Sequence, residues 1–149
     1  VARLLVTGMS GAGKSTLLAE LAGRGYRTID TDHDAWTLPD GRWDEPRMSR
    51  LLEEASTVVV SGAVDNQGRF YDRFDHVVLL TVPLDVLLDR VSARADNPWG
   101  RTPEQQRRIA REVAEVEPLM RATATLVLDG RRQVTELADV VGGLLGEPG

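Results

Sequence analysis

The chain has 149 residues, 42% of them hydrophobic, and its 18 basic and 23 acidic side chains leave a formal charge of −5. That length suits one compact unit with its own core. The lack of cysteine excludes disulfide scaffolds and thiolate metal sites. A negative balance speaks against nucleic-acid partners. No apolar run nears the roughly 20 residues of a membrane span, and Val1 to Thr7 is too short for a secretory leader, so no membrane partner and a cytoplasmic location are expected.

In chain order, Arg3 to Thr7 reads as a strand, followed by a Gly-rich turn and a helix from about Lys14 to Ala22 that stops at Gly23 and Gly25. Tyr26 to Asp30 reads as a second strand. Pro46 opens a helix with Met48, Leu51, Leu52 and Ala55 on one face and Asp44 as its cap. Thr57 to Ser61 and His76 to Val82 are continuously apolar, the pattern of parallel strands covered on both faces. Pro83 begins a helix carrying Arg90 and Arg94. An irregular stretch, Asp96 to Arg101, separates it from a helix opened by the Thr102-Pro-Glu-Gln capping box. Thr125 to Leu128 is a fifth strand, and about Gln133 to Leu145 a closing helix. Alternating strands and helices without repeat or linker predict one α/β domain, 1–149, around a parallel sheet.

The turn after the first strand, Gly8-Met9-Ser10-Gly11-Ala12-Gly13-Lys14-Ser15, satisfies G-x-x-x-x-G-K-[ST], and Thr16 follows. Glycines let the backbone N–H groups converge on phosphates, and the helix start adds the positive end of its dipole. Lys14 can then reach the β- and γ-phosphates and Ser15 can ligate Mg²⁺. Composition supports the same reading. Seventeen of the eighteen basic residues are arginine, and the single lysine is Lys14, where a compact ammonium rather than a planar fork is needed. No Asn-Lys-x-Asp guanine motif is present, and the middle strands end in Ser61 and Val82 rather than acids, which disfavours GTPases and motor-type ATPases. Asp30-Thr31-Asp32 stands at the tip of the second strand instead. Carboxylates two residues apart on an extended strand share a side. Beside the phosphate loop, one could hold the metal and the other take a proton from an attacking hydroxyl.

With these motifs the chain resembles the small-molecule and nucleoside-monophosphate kinases of the P-loop class, shikimate and gluconate kinases above all. The matching stretches are Gly8 to Thr16, Gly25 to Asp32, Val82-Pro83 through Arg90 to Arg94, Asp96 to Arg101, and Leu128-Asp129. The resemblance implies a P-loop three-layer sandwich, with a five-stranded parallel sheet in the order 2-3-1-4-5, helices on both faces and a small lid at about 95–103. It implies ATP and Mg²⁺ as cofactors, with Asp30 near the metal and Asp32 on the acceptor hydroxyl. Arg94 and Arg101 would be lid arginines on the phosphates. The segment from Asp129 through Arg131 and Arg132 to Gln133 would pass the adenine. Ser61-Gly62-Ala63-Val64 stands where shikimate kinases carry three glycines, and the segment Asp34 to Trp43 replaces their longer acceptor-binding helical segment. Trp-x-x-Pro-Asp-Gly-x-Trp and Asn-Gln-Gly-x-Phe-Tyr also resemble stretches of actinobacterial ATP-binding proteins, without naming an acceptor.

The remaining candidates line the expected acceptor mouth. Trp36 could stack on a sugar-like ring or seal the loop, as could Trp43 and Phe70. Asn66 and Gln67 could bind hydroxyls, and Arg69 an acid group, or all three could form a polar turn. Arg94 and Arg101, then Arg90, are candidates for covering the transferring phosphoryl group. Arg107, Arg108 and Arg111 read as a solvated helix face. The expected activity is ATP-dependent phosphorylation of a small hydroxylated acceptor, and the sequence leaves the oligomeric state open, a monomer included. The rivals are nucleoside-monophosphate phosphorylation and a nucleotide-binding regulatory module with weak hydrolysis.

Overall fold

The computed structural model describes residues 2–94 and 98–148. Of the expected lid, residues 95–97 therefore lie outside the described residues. Five strands, β1 (Arg3–Thr7), β2 (Thr28–Asp30), β3 (Val58–Ser61), β4 (His76–Thr81) and β5 (Leu126–Asp129), form one parallel sheet in the order β2-β3-β1-β4-β5. The order implied by resemblance is thus observed. Register sets Asp30 level with Ser61, and Thr81 level with Asp129. The chain leaves β1 toward β2 on one side and later reaches β4 on the other. This reversal opens a crevice at the carboxyl edge, the usual ligand position in such sheets.

Side chains that alternate along each strand separate two cores. Leu4, Val6, Val59, Val78 and Leu80 pack with Leu17 and Leu21 of α1 (Lys14–Gly23) and with Leu137, Val141 and Leu145 of α5 (Val134–Leu145). On the opposite face Leu5, Val58, Val60 and Val77 meet Met48, Leu51 and Leu52 of α2 (Glu45–Glu54), with Trp36, Trp43, Phe70 and Phe74. A third cluster joins Leu87 and Val91 of α3 (Leu84–Ala93) to Ile109 of α4 (Pro103–Thr123). Each fully buried aliphatic side chain contributes about 1.5–3 kcal/mol.

The caps form as the sequence predicts. Asp44 accepts from Arg47 N at the start of α2, and Thr102 and Gln105 make a reciprocal capping box on α4. Boundaries differ locally. β2 begins at Thr28 rather than Tyr26, whose hydroxyl instead donates to Gly146 O (2.5 Å). β4 stops at Thr81, before Val82, and β5 runs one residue later than expected. The residues after β3 form a 3₁₀ helix, Gln67–Arg73, that no apolar periodicity announced. The loop after β2 folds on itself around a turn at Pro39-Asp40-Gly41, bridging Thr37 to Trp43.

Candidate active site

α1 starts at Lys14 with Gly13 as N-cap, and Gly13 makes no side-chain cap bond. An N-cap Ser or Asp would have occupied the first free amides of the helix. Their omission here, with no acid in the first turn, leaves the positive end of the dipole to an anion. Ser10 to Thr16 line a cleft of about 590 Å³, joined by Asp32, by Arg90 and Arg94 of the α3 segment, and by Gly130, Arg132, Val134 and Leu137 after β5. Among the described residues, four cationic side chains thus face one carboxylate there, in a chain that is acidic as a whole. Val134 and Leu137 give the far wall an apolar surface suited to a flat base.

Lys14 Nζ folds back to donate to Gly8 O (2.5 Å) and Met9 O (3.2 Å). Burial pushes its pKa below that of an ordinary lysine, and attraction from Asp32 and then Asp30 opposes part of that shift. An ammonium in this position gains from an arriving phosphate. Ser15 Oγ donates to Asp30 Oδ2 (2.9 Å), while Asp30 Oδ1 accepts from Asp32 N (3.1 Å). β2 ends at Asp30 and Asp32 lies in the following turn. A turn stabilised by the Asp30 carboxylate, rather than strand alternation, therefore presents Asp32 to the cleft. One hydroxyl and neighbouring carboxylates are an all-oxygen donor set that suits Mg²⁺. Among the described residues no group of three or more His, Cys, Asp or Glu could hold a metal alone. The fit is to an ion shared with phosphate oxygens and water, the usual habit of Mg²⁺.

Arginines brace this cradle. Arg90 Nη1 donates to Gly11 O and Ala12 O (both 3.2 Å), and its Nη2 donates to Gly130 O (2.9 Å). It ties the phosphate loop to the turn after β5. Arg94 Nη1 donates to Ser10 Oγ (3.2 Å), and among the described residues its buried Nε has no hydrogen-bond partner. A buried, unpaired N–H on a cation at a phosphate loop is a donor available to a ligand.

Other expected site residues lie elsewhere. Asn66 is buried, with Oδ1 accepting from Trp43 N (2.9 Å) and Nδ2 donating to Trp43 O (3.0 Å) and Glu45 (3.0 Å). Gln67 is buried too, accepting from Val64 N and donating to Thr7 Oγ1 (3.1 Å) and Tyr71 (2.8 Å). Their polar groups are satisfied inside the protein, so neither is left for an acceptor. Trp36 is buried beneath the Arg47 guanidinium, 3.9 Å from its ring centre, in a groove that shares no residue with the phosphate cleft. Arg69 is exposed and pairs with Glu45 (3.4 Å). Arg101 donates to the main-chain oxygens of Ser92 and Arg94 rather than to the loop. Asp129 and Arg131 face a different groove, beside Thr81, Glu117 and Arg121. The hydrogen bond from the Arg131 side chain holds the Asp129 carboxyl down at about 2. Of the segment expected to pass the adenine, Gly130 and Arg132 reach the cleft.

Two contributors were not read from the sequence. One is the Arg90 tie. The other is the packing under the acceptor side, where Thr31 Oγ1 donates to Ser61 O (2.7 Å) and accepts from Trp43 Nε1 (2.9 Å). A Cβ on Gly62 would lie 2.6 Å from Thr31 Oγ1 and 2.9 Å from the Trp43 ring. That close approach requires the glycine. A Gly after an apolar strand was the available signal.

The profile of the family described as AAA domain matches residues 4–115. Shikimate kinase of Rhodopseudomonas palustris is 35% identical over 142 residues, spanning 79% of this chain and 68% of that protein. The chain belongs to the P-loop small-molecule kinases of the shikimate/gluconate kinase class. Shikimate kinase of Nitrobacter winogradskyi is 31% identical over 139 residues, covering 79% of this chain and 64% of its own length. The chain therefore spans about two thirds of both relatives. The solved shikimate kinase from Acinetobacter baumannii in complex with shikimate matches with TM-score 0.74 and 19% identity, over 97% of this chain and 92% of that one. That likeness concerns the fold. As a member of this kinase class, the chain is a phosphotransferase acting on a small substrate. Kinases of the class use ATP and usually Mg²⁺. Among the described residues no helix is long and apolar enough to cross a membrane.

Proposed function

We propose that this kinase transfers the γ-phosphoryl group of ATP to a hydroxyl of a small acceptor. The observation that carries the reading is Asp32. It is an exposed carboxylate on the phosphate cleft, attracts the Lys14 ammonium more than Asp30 does, and is held in its turn by Asp30. Lys14 and the amides at the start of α1 would bind the phosphates. Ser15 and Asp30 would hold Mg²⁺, which when bound neutralises charge on the phosphate oxygens. Asp32 would accept the proton of the acceptor hydroxyl as its oxygen attacks phosphorus and ADP leaves. Arg94 would lie over the transferring group, where its Nε–H, unpaired among the described residues, meets the charge that builds on the equatorial oxygens.

The names of the curated relatives support testing hydroxylated carboxylic acids first. Internal use of Asn66 and Gln67 supports an acceptor recognised by other groups than in the sequence-based expectation. The test is an ADP-release screen with ATP and Mg²⁺ across hydroxy acids, cyclitols, sugars, nucleosides and nucleotides. One hydroxylated acceptor should stimulate release above the hydrolytic background. Asp32→Asn should lower that transfer about 10²–10⁴-fold while ATP affinity stays near wild type. Undiminished transfer in that variant would end the assignment of Asp32 as base.

A further inference from the structure

Arg94 immediately follows α3 and has left helical geometry (φ −63, ψ 126). The last carbonyls of a helix have no partner within it and carry its negative end. Here one side chain serves two carbonyls at that end. Arg101 Nε donates to Ser92 O (3.0 Å) and Arg101 Nη2 to Arg94 O (2.5 Å). Arg101 does not line the phosphate cleft, whereas the side chain of Arg94 does and reaches Ser10. The backbone just before Arg101 is fixed from two directions. Gly100 N donates to Gln105 Oε1 (2.7 Å), within the capping box of α4. A Cβ at Gly100 would collide with the Val91 side chain, so the chain presses directly on α3 there.

From this geometry we infer that Arg101 is a positioning residue. It grips the carbonyl end of α3 from the start of α4, fixes the main chain of Arg94, and so aims the Arg94 guanidinium at the phosphate loop. The two arginines divide the work, one on the nucleotide side and one on the backbone that carries it. This rests on the proposed role of Arg94 toward the phosphates and departs from the expectation that Arg101 is itself a phosphate ligand. Arginine suits the task because its fork reaches two carbonyls from one stem. Lysine offers a single cationic centre to the same oxygens.

The full chain is titrated calorimetrically with ATP and Mg²⁺, so no acceptor is needed, and thermal unfolding is followed in parallel. Arg94→Ala should weaken ATP binding about tenfold, the range of a charge-assisted hydrogen bond. Arg101→Ala should weaken it about threefold to fivefold, and Arg101→Lys should recover part of the loss. The double variant should bind like Arg94→Ala alone, because Arg101 acts only through Arg94. Losses that add in the double variant would make Arg101 a ligand in its own right and overturn the inference. So would wild-type ATP affinity in Arg101→Ala, with or without a lowered melting temperature. Wild-type affinity in Arg94→Ala would instead overturn the reading of Arg94, and the role of Arg101 with it.

Discussion

The phosphate loop and the segment after β2 both bring polar side chains to the carboxyl edge of the sheet, yet they use them differently. Around the loop, Lys14, Ser15, Asp32 and Arg94 remain turned toward the cleft, and the start of α1 is left without a side-chain cap. Across from it, Thr31, Trp43, Asn66 and Gln67 bond to one another and to the main chain inside the protein. A site keeps its polar groups incompletely satisfied, because a ligand must complete them. A scaffold completes them itself, because an unpaired buried group costs about 1–3 kcal/mol.

The contrast is open to direct attack from either side. Trp43→Ala has the largest expected effect, because the fully buried indole packs edge-on against Phe70 at 5.8 Å and bonds Thr31. A loss of about 3–5 kcal/mol in denaturant unfolding is expected. A merely local change at the acceptor side, with stability kept, would show that Trp43 is not scaffold.

Lys14→Met should behave in the opposite manner, with ATP affinity falling about 100-fold or more in calorimetry while the nucleotide-free protein is no less stable. The sign follows from the lowered pKa of Lys14. Below the folded-state value both states hold the proton, so the full cost of the buried charge is present. As pH rises from the folded value toward that of the unfolded chain, the unfolded state binds more protons and wild-type stability increases. That alkaline gain should vanish in Lys14→Met, as urea unfolding across the range would register.

The smallest change of the three is Asn66→Ala, which strands the N–H and C=O of Trp43 and should cost about 1–3 kcal/mol. Its KM for ATP, and for the acceptor the screen identifies, should stay at wild-type values. A raised acceptor KM without loss of stability would return Asn66 to the site.

Much of the loop side was legible because its chemistry is local. Gly8 to Thr16 form one contiguous motif, preceded by an apolar strand and followed by a helix that glycines end, and the helix start itself presents the anion-binding amides. Asp30 and Asp32 were found as well, but the reason differed. Strand alternation was expected to align them, whereas an Asp30-stabilised turn presents Asp32. On the far side, Asn66 and Gln67 look like ligands in sequence because nothing local says that Trp43 and Thr7 will reach them from 23 and 60 residues away. Arg90, Arg94 and Arg101 were all visible as candidates. Their division into a loop tie, a cleft-facing group and a group bonded to the main chain of Arg94 depends on partners supplied by other segments.

Sequence alone determined the class of sheet, the phosphate loop, the capped starts of α2 and α4, and the carboxylate pair, since each rests on contacts between near neighbours or on the period of apolar residues. Only the tertiary structure decided which polar residues are scaffold and which face the cleft. Whether a donor is available to a ligand depends on whether a distant segment has already accepted from it, and chain folding alone brings that segment near.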